Sequence, residues 1–163
     1  TPNGKNAIPK MSYLVDILIE TDFQRVRTYI QSGNIILESD LSLEEIREQV
    51  HTLIKEKIGA DLKMVIKNKN DFAKIVQENP FGKHYLFDRI HVILFQNDIQ
   101  SLPLEKLDSD YGEEEICIGN HCLYLYLPRT AKRKKLNTNY LEKLFDVDLT
   151  MRKLNVVEKL LTK

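Results

Sequence analysis

Residues 129–135 hold five basic side chains, Lys132 and Lys135 among them, and no acid. A helix is expected from about Asn139, so this run lies just ahead of a helix N-terminus. Free backbone N–H groups and the positive end of the helix dipole favour an anion there, phosphate included. Lysines at such a place are slightly unfavourable for the helix itself, which leans toward a binding role. Gln31, Ser32 and Asn34 form a second polar group around Gly33. The glycine accounts for a turn, and serine and asparagine are ordinary turn residues. Gly4-Lys5-Asn6 precedes another helix and reads as a further anion cradle. Lys5, Asn6, Gln31, Ser32, Asn34, Lys132, Lys135 and Arg152 are therefore the expected contacts of an anionic or phosphorylated small molecule.

The remaining chemistry is sparse. Residues 105–115 carry six acids against Lys106, a block that reads as a solvated face. His51, His84, His91 and His121 have no partner at metal-ligand spacing. There is no Walker loop, dinucleotide fingerprint or Gly-x-Ser-x-Gly elbow, so no cofactor, metal or catalytic residue is assigned. Cys117 and Cys122 flank Gly119-Asn120. A two-residue turn at that dipeptide would set Cys117 opposite Cys122, and Ile118 opposite His121. Cross-strand disulfide geometry is then conceivable. Two reduced thiols are the expectation in a chain read as lacking a signal peptide. Tyr124 and Tyr126 alternate with Leu123, Leu125 and Leu127 and could stack bases on an open sheet. Cover by a helix or by the other half of the chain is the expected arrangement.

These groups need elements to hold them. The chain has 163 residues, with 24 basic side chains balancing 24 acidic ones, 42% apolar content and 29% charged content. Such a chain can bury roughly 70% of its unfolded surface. The balance argues against a protein devoted to coating nucleic acid. The sequence lacks any apolar run of ~18 residues, so no membrane span is expected.

Periodicity predicts a helix over 9–19, with Met11, Leu14, Val15, Leu18 and Ile19 inward. Ser42 and Glu45 form a capping box ahead of a helix burying Ile46, Val50, Leu53 and Ile54. A strand is expected over 62–67 and a helix over 71–78. Then come a strand over 89–95, a weak helix over 102–107, a helix with Tyr140, Leu141, Leu144 and Phe145 inward, a strand over 149–153 and a last helix over 155–161.

Two pairs of segments repeat at nearly one separation. Residues 29–37 and 115–125 both read as strand, Gly-Asn turn, strand. Residues 65–75 and 150–160 both read as a short strand entering a helix, with Asn70 and Asn155 as matching caps. The pattern predicts an α+β protein of two fused ferredoxin-like halves, each βαββαβ in plan. Their bounds are 1–80 and 81–163, in one compact unit. The first half lacks a counterpart of the strand at 89–95. Residues 1–8 are loop chemistry, so a strand upstream of Thr1 is expected.

Gly4-Lys5-Asn6 and residues 26–34 resemble the bacterial family called domain of unknown function 1697. Lys135-Leu136 and Thr150, Arg152 and Asn155 fall on two further motifs of that family. Asn3, Lys134, Lys153 and Leu154 depart from its pattern, and its opening strand is absent. The resemblance covers nearly the whole chain and implies two ferredoxin-like halves without an established activity. The functional expectation is a cytoplasmic binding protein for a phosphorylated small molecule. One alternative is an RNA-binding module that uses Tyr124, Tyr126 and the basic run. Another is an enzyme on a phosphorylated substrate.

Overall fold

The structure, a computed structural model, describes residues 11–20, 23–28, 34–58 and 65–162. It is a mixed α+β chain that divides into two compact units, Thr1–Ile66 and Lys67–Lys163.

In the first unit, α1 (Met11–Ile19) is followed by β1 (Gln24–Thr28), β2 (Ile35–Glu38) and α2 (Leu43–Ile58). Ser42 starts α2 as expected: its Oγ accepts the Glu45 N–H at 3.2 Å and donates to Glu45 Oε1 at 3.1 Å. Ile46, Val50 and Ile54 of α2 pack with Leu18 and Phe23, while Val26, Ile35 and Leu37 close the core from the strands. The buried face of α1 is rotated from expectation, with Ile17 and Leu18 inside and Ile19 56% exposed.

β1 and β2 are antiparallel, pairing Gln24 with Glu38 but Thr28 with Ile35. The shift between those pairs is a bulge in β1, where Arg25 takes φ 52° and ion-pairs with Glu38 at 3.2 Å. A two-residue turn at Gly33-Asn34 would have set Thr28 opposite Ser39. Instead β2 ends at Glu38, and Ser39 Oγ accepts the Leu41 N–H at 3.1 Å, turning the chain toward α2. Lys5, Asn6, Gln31, Ser32 and Gly33 lie outside the described residues, as do 62–64 of the strand expected over 62–67. Residues 65–67 are not in a strand.

The second unit opens with α3 (Lys69–Gln77), the helix expected to close the first half. There follow β3 (Ile90–Phe95), β4 (Glu115–Ile118), β5 (Leu123–Tyr126), α4 (Thr138–Phe145), β6 (Leu149–Lys153) and α5 (Leu154–Leu160). The four strands form one antiparallel sheet in the order β4-β5-β3-β6. The weak helix expected over 102–107 is replaced by two 3₁₀ turns, Ile99–Ser101 and Leu104–Lys106. Pro103 between them has no N–H to continue a helix.

The pleat sends alternate side chains to two covered faces. Ile93, Phe95, Leu123 and Leu125 pack with Leu141 and Phe145 of α4 and with Ile99 and Leu102. Ile90, Val92, Leu94 and Tyr124 occupy the other face, where Ile75 of α3 and Leu154 and Val157 of α5 are also buried. Tyr124 is 2% exposed, and its hydroxyl donates to the Ile75 carbonyl at 2.6 Å. Tyr124→Phe is expected to cost about 1.5 kcal/mol, since it strips a buried acceptor of its donor without changing the ring. Urea unfolding checks this.

The aligned asparagines do not cap. Asn68 caps α3, because Asp71 three residues on returns a bond to its N–H at 3.1 Å, and Asn70 lies inside the helix. Asn155 lies inside α5, whose preceding residue Lys153 makes no side-chain cap bond. Asn137 caps α4, its Oδ1 accepting the Tyr140 N–H at 2.9 Å.

The cysteine expectation is overturned. β4 and β5 pair Ile118 with Leu123 and Cys117 with Tyr124. Asn120 and His121 are the central turn residues, and the Gly119 N–H donates to the Cys122 carbonyl at 2.9 Å. Cys117 therefore does not face Cys122, and both thiols are free. Gly119 is needed for contact rather than for a left-handed backbone. A Cβ there would sit 2.5 Å from Tyr124 Cε2 and 2.9 Å from the Cys122 carbonyl oxygen. Among the described residues no helix is long and apolar enough to cross a membrane.

Candidate functional site: a basic loop pinned by carboxylates

The basic run lies in the loop between β5 and α4, and the acidic block comes to it. Glu114 is 4% exposed. Its Oε1 accepts the N–H of Lys135 at 2.8 Å and of Leu136 at 3.0 Å. Glu113 Oε1 accepts the Lys132 N–H at 3.3 Å, and Lys135 Nζ reaches Asp108 Oδ2 at 3.1 Å. The anion seat expected ahead of α4 is thus filled from within. Glu114 takes two consecutive donors, and Asn137 takes the Tyr140 N–H in the first turn of the helix.

Two tyrosines complete the frame. The Tyr111 hydroxyl accepts the Asp108 N–H at 2.8 Å and shares a 2.9 Å hydrogen bond with the Tyr140 hydroxyl. Burial, reinforced by that bond, pushes the Tyr111 phenol up to about 12, so it remains a neutral structural group. Lys135 Nζ stands 5.0 Å from the Tyr140 ring centroid, within cation–π range. Ala131 of the loop is buried, while Arg129, Lys132, Arg133 and Lys134 are exposed. The result is a fixed backbone carrying four exposed cations.

The expected contacts do not all converge here. Lys132 and Lys135 belong to the loop. Arg152 is on β6 opposite Val92, on the sheet face away from α4, and donates to the Met151 carbonyl at 2.9 Å. Burial lowers its pKa. Asn34 belongs to the first unit, just before β2. Sequence reasoning missed Glu114 and Tyr111, and gave Tyr140 only as an inward residue of its helix. The one available signal was the opposition of two charge blocks, which hinted at mutual contact without singling out a residue.

Three further groups are shifted by burial. Burial lowers the pKa of His91, raises that of Cys117 and pushes the Cys122 thiol up to about 12. Neither thiol is primed as a nucleophile. Tyr126 is half-buried against Tyr85, with ring centroids 4.7 Å apart, and Tyr124 has no open face. The described residues contain no group of three or more side chains able to hold a metal ion.

Comparison with known proteins gives the fold a relative. A conserved bacterial protein from Streptococcus pneumoniae, SP0830, superposes with a TM-score of 0.72 at 18% identity, covering 98% of this chain and 91% of that one. At that identity the likeness is one of fold. No curated protein matches the sequence. Residues 3–124 match the family described as protein of unknown function (DUF1697), and the chain belongs to that family.

Proposed function

We propose that this protein binds an anionic, phosphorylated ligand on the exposed side of the loop between β5 and α4. The observation that carries the reading is the pinning of the loop. Glu113 and Glu114 hold its backbone at Lys132, Lys135 and Leu136, while Arg129, Lys132, Arg133 and Lys134 are exposed to solvent. A cationic surface held in one shape loses less entropy on capturing a phosphate than a free run of lysines does. A nucleic-acid reading on the second-unit sheet has less to stand on, because the Tyr124 ring is buried.

The same reading takes the molecule to be a cytoplasmic pair of ferredoxin-like halves. The order β4-β5-β3-β6 supports this for the second unit, with β3 and β5 central and each split connection spanning one strand. The β1–β2 hairpin between α1 and α2 supports a counterpart in the first. Two unpaired thiols suit a reducing compartment.

Replacing Lys132 and Lys135 together by alanine tests the reading. Pyrophosphate binding, measured by calorimetry, should weaken at least about five-fold. Its salt dependence, modest for a small anion, should flatten further because fewer cations face the ligand. The melting temperature should barely move, because exposed pairs such as Lys135–Asp108 contribute at most about 1 kcal/mol. Unchanged pyrophosphate binding in that variant would reduce the loop to a solvated surface.

A further inference from the structure

Two large apolar side chains stand side by side on the surface of the second unit, Leu86 at 62% exposure and Phe87 at 40%. Single exposed apolar residues are ordinary, whereas a pair on one fixed turn forms a small patch. This pair is firmly mounted. Tyr85, just before it, donates its hydroxyl to Glu115 Oε1 at 2.9 Å and sets its ring edge-on to Tyr126. The Leu86 N–H donates to the Tyr126 hydroxyl at 3.3 Å. Phe87 opens a 3₁₀ turn, Phe87–Arg89, which the Arg89 N–H closes on the Leu86 carbonyl at 2.9 Å.

The turn stands at the entry to the basic loop. β3 and β5 pair Ile90 with Tyr126, and bonds between the next two residues extend the ladder. The Leu127 N–H donates to the Arg89 carbonyl at 3.1 Å, and Arg89 Nε donates to the Leu127 carbonyl at 2.8 Å. Phe87 lies two residues before that link and Arg129 two residues after it, at the same end of the sheet. Arg129, Lys132, Arg133 and Lys134 form no ion pair among the described residues. The acids of residues 108–115 each give an oxygen to a partner within the unit. Lys135 takes Asp108, the Gly112 N–H takes Asp110, backbone N–H groups of the loop take Glu113 and Glu114, and Tyr85 takes Glu115. Asp88, exposed on the turn, can accept from a ligand hydroxyl or amino group. The cations suit phosphate, and the exposed phenyl suits a flat ring. Every nucleobase has a face that stacks on an aromatic side chain.

We infer that the ligand of this loop is a nucleotide, its phosphates on the loop and its base against Phe87 and Leu86. The inference rests on the anionic-ligand reading of the loop and adds the base to it. Calorimetry on the full chain compares pyrophosphate with ADP and GDP. Both nucleotides should bind at least about ten-fold more tightly than pyrophosphate, the gain expected from one stacked base. In Phe87→Ala that advantage should shrink to about two-fold or less, with pyrophosphate affinity unchanged, and Phe87→Trp should retain it. The Lys132→Ala, Lys135→Ala double variant should weaken all three ligands. If pyrophosphate binds and neither nucleotide binds more tightly, the base contact is overturned while the loop reading stands. An undiminished nucleotide advantage in Phe87→Ala overturns the base contact in the same way. If neither pyrophosphate nor the nucleotides bind, both readings fall.

Discussion

Glu114→Ala is expected to destabilise the second unit by about 3 kcal/mol, the cost of leaving two backbone donors without the charged acceptor they share. The carboxylate is 4% exposed, and its Oε1 alone holds the Lys135 and Leu136 N–H groups. Water does not replace it easily, because Leu136 is itself buried in the core below the loop. Glu114→Gln keeps the shape and one acceptor oxygen, so its cost should be smaller, about 1 kcal/mol. The pair of variants separates hydrogen bonding from charge. Urea unfolding followed by circular dichroism measures both. A Glu114→Ala protein within ~0.5 kcal/mol of the parent would mean that the loop does not need its pin. Pyrophosphate affinity should fall in Glu114→Ala although no cation is removed, because the loop loses its fixed shape.

Gly119→Ala should cost about 3 kcal/mol through overpacking. The added methyl would meet Tyr124 Cε2 at 2.5 Å and the Cys122 carbonyl oxygen at 2.9 Å. Neither can give way cheaply. The Cys122 carbonyl accepts the Gly119 N–H that closes the turn, and the Tyr124 ring is held by its hydroxyl on Ile75. A double-mutant cycle identifies the cause. In a Tyr124→Leu background the penalty of Gly119→Ala should shrink by about 1 kcal/mol or more, since contacting residues couple on that scale. Equal penalties in the two backgrounds would move the strain from the ring to the backbone.

Local patterns in the chain carried well. β6 has the bounds that residues 149–153 implied, and β3 starts one residue later than expected. The capping box at Ser42 and the inward residues of α2 and α4 also agree. Each rests on interactions within a few residues, so a short window of sequence contains its cause. Asn68 is equally legible, with Asp71 three residues on, although the match to Asn155 favours Asn70 instead.

Hairpin register did not carry. Gly-Asn marked the second turn, but Gly119 flanks that turn rather than forming its centre. Its lack of a side chain serves a tyrosine that sits opposite Cys117. Register follows from which side chains must be buried together, and that is settled by helices distant in sequence. The basic run shows the same division. Where the charges lie, which segments alternate and where the helices begin can all be read along the chain. That one of six neighbouring acids is buried and fills the seat ahead of α4 emerges only on folding. The outcome depends on bringing residue 114 against residues 135 and 136, and composition cannot distinguish Glu114 from the acids on either side of it.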